Sequence, residues 1–128
     1  MIASKEVCGV VNRIRSPFNV NSLAQVAWIA ALEDQDHVQK VVRLTHQGID
    51  FLTEQLSRMN VRVFPSQGNF ILCDLHRDSG SVTEALLQRG LIVRPLKNYG
   101  MNTHLRVTAG TMDQNQKFVQ ALKEILET

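Results

Sequence analysis

Two arginines in the last third of the chain have the residue type and the surroundings of an anion site. Arg94 follows the apolar run Leu91–Val93, and Arg106 lies inside the alternating run 105–109. Both are six residues from Gly100, so a hairpin centred on that glycine would place the two side chains opposite each other. Two arginine side chains that face each other across a hairpin repel because they carry the same charge. A bound anion would remove this repulsion and accept paired hydrogen bonds from both guanidinium groups. The spacing therefore predicts an anion site between Arg94 and Arg106.

Other interpretations of the same residues stay open. Each arginine could pair with a carboxylate such as Asp74 or Asp78, or lie on a solvated face. His104 and Tyr99 could line a cleft, but an isolated histidine near the start of a strand is more often a surface or core residue. Lys5 follows a serine and could in principle form a Schiff base, although a lysine in a first helical turn is normally exposed.

The remaining reactive side chains do not predict a metal site or a disulfide. Cys8 and Cys73 lie far apart in the sequence and form no CxxC pair. We expect both to be buried thiols, because free cysteine packs as a small apolar side chain. The four histidines lack the spacing of metal ligands, with each other and with the cysteines.

Composition argues against nucleic-acid and membrane partners. The 128 residues include 14 basic and 12 acidic ones, which gives a net charge of +2, and these charges are spread along the chain. No basic stripe is available for a nucleic-acid backbone. The apolar stretches are too short to cross a membrane and no signal peptide opens the chain, so a cytoplasmic protein is expected.

Hydrophobic periodicity predicts an α+β or mixed α/β fold, with a small sheet and helices packed on one face. Helical spacing predicts a first helix ending at 15–17, a second capped by Asn21 or Ser22, and a long third helix over 36–59. Capping boxes at Ser81 and Thr111 open two further helices. Strands are predicted at 61–64, 69–75, 91–94 and 105–109.

Four segments of the chain carry a family resemblance: Arg15–Asn21, Gly68–Phe70, Arg89–Leu96 and Leu105–Thr111. Together they resemble the histidinol-phosphate aminotransferases, a family of fold-type I pyridoxal-phosphate enzymes. The resemblance covers nearly the whole chain and implies that residues 1–128 form a single domain, the C-terminal small domain of such an enzyme. The large cofactor-binding domain would lie upstream as its partner, and the parent enzyme would be a homodimer.

The resemblance also assigns roles. Arg106 matches the arginine that binds the anionic group of the substrate, here the phosphate of histidinol phosphate, and Arg94 looks like its companion. Pyridoxal phosphate would be the cofactor of the parent enzyme, but the motif around its lysine is missing. Lys5 is followed by Glu6, Val7 and Cys8, which do not match that motif. This chain would therefore hold no catalytic or cofactor-binding residue and would be inactive alone.

The reaction implied for the parent enzyme is transfer of an amino group between glutamate/2-oxoglutarate and imidazole-acetol phosphate, in histidine biosynthesis. Two alternatives accompany it. One is the small domain of a related enzyme, a threonine-phosphate decarboxylase or an aromatic aminotransferase. The other is a non-catalytic binding or interaction module of the same fold.

Overall fold

The computed structural model describes residues 3–15 and 20–127, and those residues form five α-helices, one short 3₁₀ turn and four β-strands. The turn is Lys97–Tyr99. In chain order the helices and strands are α1 Lys5–Ile14, α2 Ser22–Glu33, α3 Gln35–Arg58, β1 Arg62–Phe64, β2 Phe70–Asp74, α4 Ser79–Gln88, β3 Arg94–Leu96, β4 Met101–Thr108 and α5 Met112–Glu127.

The first two helices begin at side-chain caps. The Ser4 hydroxyl accepts a hydrogen bond from the Val7 amide at 3.4 Å, and the Asn21 side chain accepts one from Ala24 at 2.8 Å. Asn21, rather than Ser22, is therefore the cap of α2. The predicted connector after α1 falls mostly on residues 16–19, which lie outside the described part of the chain.

The chain divides into two compact units, residues 1–38 and 39–128. In the first unit, α1 and α2 contain no buried residue. The second unit contains the hydrophobic core and the whole sheet. The two predicted site arginines belong to this second unit.

The sheet is antiparallel throughout, with strand order β1-β2-β4-β3. Side chains on successive residues of a strand point to opposite faces, and one face here is buried. The buried face carries Ile71 and Cys73 from β2 and Leu105 and Val107 from β4. These residues share one core cluster with helix residues of α3, α4 and α5, among them Leu52, Leu56, Val82, Leu86, Phe118 and Leu122. The predicted α+β class with helices on one face is confirmed.

The third predicted strand was wrong in position. Strand β3 begins at Arg94, and residues 91–93 are unpaired. After α4 the chain turns through Gly90, whose φ is 75°, and the Gly90 and Leu91 amides donate to the carbonyls of Leu87 and Leu86. This helix ending directs residues 91–93 away from strand pairing.

Two element starts also differ from the prediction. Helix α4 begins at Ser79 because Asp78 caps it by accepting from the Ser81 amide at 2.9 Å. Ser81 is therefore inside the helix instead of before it. Strand β4 begins at Met101, four residues earlier than predicted, because Met101 pairs with Leu96 of β3 and His104 pairs with Asp74 of β2. The Thr111–Gln114 capping box of α5 is confirmed, with bonds of 2.9 and 3.4 Å.

Candidate functional site

Arg94 and Arg106 lie directly opposite each other in the structure, as Cα partners in the β3–β4 pair. The hairpin is less regular than the spacing suggested. Pro95 pairs with Leu105, but Leu96 pairs with Met101, so the register shifts here and the extra residues are on β4. The register at the arginines is nevertheless the predicted one.

The two arginines belong to a cross-strand row on the face of the sheet opposite the core. Leu72 is the partner of Arg106 on its other side, and Phe64 is the partner of Leu72. Side chains in such a row share a face and touch their neighbours. Arg94 is exposed, whereas Arg106, Leu72 and Phe64 are half-buried. The row therefore presents two adjacent positive charges at its β3 end and apolar surface at its β1 end.

Neither guanidinium has an ion-pair or hydrogen-bond partner among residues 3–15 and 20–127. The two carboxylates proposed as alternative partners have other neighbours. Asp78 pairs with Lys97 at 2.7 Å, and the hydrogen bond from Lys97 helps to hold the pKa of Asp78 below its usual value. Asp74 lies 3.5 Å from His76 and 3.8 Å from His104. Within the described part of the chain, no carboxylate therefore neutralises the charge of either arginine.

Arg106 has one close neighbour that the sequence did not predict. Its guanidinium carbon lies 4.9 Å from the centre of the Phe70 ring. Phe70 is the partner of Thr108, so this contact runs diagonally between β2 and β4. The only sign of this contact in the sequence is that Phe70 and Leu72 are two residues apart, which places them on one face of β2. Once β2 is known to pair with β4, Arg106 is found on that same face.

His104 lies on the same face as Arg106, two residues away on β4. It stacks on Phe64 with ring centres 5.9 Å apart, and the Thr103 hydroxyl lies 3.1 Å from its Nδ1. Burial raises the pKa of Asp74, but hydrogen bonds from the His76 backbone and Thr103, with His104 and His76 nearby, outweigh this and lower it. His104 is thus part of a polar cluster at the edge of the row.

Tyr99 is separate from this cluster. It lies in the 3₁₀ turn before Gly100 and is exposed. The prediction that it lines a cleft receives no support from this geometry.

The five lysines do not form a cofactor site. Lys5 begins α1 and is exposed, and the other four are exposed as well. Lys97, Lys117 and Lys123 each pair with a carboxylate. A Schiff-base lysine needs a desolvated amine or a cationic neighbour to lower its pKa, and these surroundings supply neither. The described residues therefore do not fit a covalently held pyridoxal phosphate.

The cysteines and histidines form no metal site in the described ranges. Cys73 is fully buried, as expected, whereas Cys8 is only half-buried. None of the described helices has the length and apolarity that crossing a membrane requires.

Comparison with known proteins identifies the family of this chain. The family model for aminotransferase class I and II matches residues 1–122. The histidinol-phosphate aminotransferase of Bdellovibrio bacteriovorus is 46% identical over 127 residues, which are 99% of this chain and 34% of that protein. The chain therefore spans about a third of the length of the curated relatives it matches.

Solved structures share the fold of this chain. The histidinol-phosphate aminotransferase of Sinorhizobium meliloti, solved in complex with pyridoxal-5'-phosphate, superposes with a TM-score of 0.83 at 21% identity, covering 95% of this chain and 34% of that one. The L-threonine-O-3-phosphate decarboxylase of Porphyromonas gingivalis gives 0.76 at 27% identity, covering 99% and 41%. The chain belongs to the class I and II aminotransferase family, whose members include pyridoxal-phosphate enzymes.

Proposed function

We propose that this chain is the C-terminal small domain of a histidinol-phosphate aminotransferase and that it binds the phosphate end of the substrate. The observation that carries this proposal is the Arg94–Arg106 pair. The two arginines are direct cross-strand partners on the sheet face opposite the core, and neither has a carboxylate partner in the described part of the chain. A phosphate dianion could accept bidentate hydrogen bonds from both and remove their repulsion.

The 46% identity to the Bdellovibrio enzyme supports the choice of substrate. In the complete enzyme an amino group would pass between glutamate/2-oxoglutarate and imidazole-acetol phosphate, in the cytoplasm and within a homodimer. Pyridoxal phosphate, when bound by the rest of the enzyme, supplies the electron sink for that transfer. The residues of this chain would bind and orient the substrate, and the chain alone would be inactive.

A related activity has its own support. The threonine-phosphate decarboxylase from Porphyromonas is 27% identical over almost the whole chain, and its substrate name also includes a phosphate. The same arginine pair could hold either phosphate monoester. An assay of the full-length enzyme separates the two activities.

With histidinol phosphate and 2-oxoglutarate, we expect glutamate to form at a rate proportional to enzyme. O-phosphothreonine should release no carbon dioxide above background. Release of carbon dioxide without glutamate formation would assign the decarboxylase activity instead. An enzyme that turns over neither phosphate ester would refute the proposal.

A further inference from the structure

The ring of Phe70 lies against the guanidinium of Arg106, at 4.9 Å from ring centre to guanidinium carbon. Phe70 begins β2 and Arg106 lies on β4, where its direct partner is Leu72. Diagonal neighbours of this kind are within reach of aromatic and long side chains. The contact is therefore a product of the strand register and would be lost if β2 slipped by one residue.

Apart from Phe70, the surroundings of Arg106 do not favour one conformation of its side chain. Arg94 is its direct cross-strand partner and carries the same charge. No carboxylate in the described ranges pairs with either residue. In the absence of an attractive neighbour, the repulsion would turn the Arg106 side chain away from Arg94, and binding an anion would then require reordering it.

An aromatic ring is suited to hold this arginine ready for a ligand. The negative face of the ring attracts the guanidinium, while the donors at the edge of the guanidinium plane remain free. A carboxylate in the same place would neutralise the charge and occupy those donors. Phe70 thus orients the charge without competing with the ligand.

The position of Phe70 is itself fixed by the turn before β2. The Phe70 carbonyl accepts a hydrogen bond from the Ser66 hydroxyl at 2.5 Å, and that hydroxyl oxygen accepts one from the Gly68 amide at 3.1 Å. The Asn69 carbonyl accepts from the Ala109 amide at 2.9 Å. These bonds tie the start of β2 to the end of β4, so the ring and Arg106 are held in register.

We infer that Phe70 is a positioning residue of the anion site, which holds the Arg106 guanidinium flat against its ring so that both arginines can bind one phosphate group. This inference rests on the proposed role of Arg106. The same sheet face supplies a matched control, because Arg62 lies 4.8 Å from the Phe64 ring but has the carboxylate residue Asp74 as its cross-strand partner. In the Arg62–Phe64 contact, the arginine therefore does not face a residue of the same charge.

The test is a titration of the 128-residue chain with inorganic phosphate, followed by NMR of the arginine Nε–H groups. In the wild type, the Arg106 signal should be displaced by the ring current of Phe70 and should move saturably with phosphate. Phe70→Leu and Phe70→Met should remove the ring-current displacement and weaken phosphate binding about three- to tenfold. Phe70→Trp should restore both, and Phe64→Leu should leave binding within about twofold.

The outcomes separate the inference from the function on which it rests. If Arg106→Ala abolishes phosphate binding while folded Phe70→Leu and Phe70→Met bind like the wild type, Phe70 is not a positioning residue and the arginine site stands. If the wild type shows no saturable change at Arg106, the anion site fails and the inference fails with it. Loss of binding in Phe64→Leu to the same extent would indicate a general effect of the sheet face and would also overturn the inference.

Discussion

The Cys73 thiol illustrates how strongly the core constrains one residue. It lies fully buried on the inner face of β2, and its Sγ donates a weak hydrogen bond to the Leu105 carbonyl at 3.7 Å. Burial raises the pKa of Cys73 to about 12, despite that hydrogen bond, which lowers it. The thiolate is the reactive form, so at pH 8 only about one Cys73 thiol in ten thousand is ionised.

This predicts a large difference in reactivity between the two cysteines. At pH 8 a disulfide reagent should modify Cys8, which is half-buried on α1, at least about a hundredfold faster than Cys73. The measurement is absorbance of the released thiol in the Cys8→Ser and Cys73→Ser variants. The Cys8→Ser chain should react only when denaturant is added. Rapid reaction of folded Cys8→Ser chain would mean that the core around β2 is open.

The arginine pair was predictable at this scale because equal spacing from Gly100 is visible in the sequence. The residues that contact this pair could not be predicted in the same way. The contact of Arg106 with Phe70 depends on which strands pair, and the contact of Asp74 with His104 depends on the extra residues at the start of β4. Such contacts join residues distant in sequence, which local patterns do not determine.

At the scale of elements, the helices were predicted best, because an apolar stripe over two or more turns is a strong and local signal. The sheet was predicted less well. The apolar run 91–93 looked like a strand, but its first amide completes the end of α4, so it does not pair. Strand β4 began earlier than predicted because residues 101–104, three of which are polar, gain their strand geometry from pairing, which composition does not reveal.

Two glycines, one inside α3 and one just before β2, give opposite predictions for the same substitution. Gly48 is inside α3, where alanine would ordinarily stabilise a helix by about 1 kcal/mol. A β-carbon there would lie 2.8 Å from the Asn115 Nδ2 and 3.2 Å from the Ala109 β-carbon. Asn115 is buried and its amide bonds both the N–H and the carbonyl of Gly110, so it has little freedom to move.

We therefore expect Gly48→Ala to lower the free energy of unfolding by about 1 to 3 kcal/mol, the usual result of overpacking. Gly68→Ala is the matched control. Its β-carbon would meet the Phe70 ring at 3.5 Å, an ordinary contact, and its φ is outside the left-handed region. It should raise the free energy of unfolding by about 0.4 to 1 kcal/mol. Urea unfolding measures both, and a stabilised Gly48→Ala would show that the packing of α3 on α5 is looser than described.

At the scale of the whole molecule, the first unit exposes many large apolar side chains. Helix α2 is apolar over most of its surface, and its single tryptophan, Trp28, is 60% exposed. A helix that is apolar on all sides is normally buried in a larger protein. Since the chain spans about a third of its relatives, we propose that the rest of the enzyme covers α2.

Trp28 fluorescence tests this proposal. We expect its emission maximum to lie at shorter wavelength in the full-length enzyme than in the 128-residue chain, because a covered indole is shielded from water. The Trp28 contribution is obtained as the difference between each protein and its Trp28→Phe variant. Equal maxima would contradict coverage by the rest of the enzyme. A blue shift that instead grows with concentration of the 128-residue chain would assign the surface to self-association.

We propose that Arg106 and Arg94 bind the substrate phosphate. This role is tested by comparing two substrates of the full-length enzyme. For histidinol phosphate, Arg106→Ala should lower kcat/KM. The fall should correspond to a loss of about 2 to 4 kcal/mol of transition-state stabilisation. Arg106→Lys should recover only part of this loss, because an ammonium group lacks the planar two-donor fork.

Free histidinol has no phosphate, so its kcat/KM should change little in the same variants. Arg62→Ala, on the same sheet face but opposite Asp74, should leave both substrates close to wild type. The decisive measurement is the ratio of kcat/KM for histidinol phosphate to that for histidinol. This ratio should collapse in Arg106→Ala. A parallel loss on both substrates would instead rule out phosphate binding by Arg106 and assign it to folding or to the general integrity of the site.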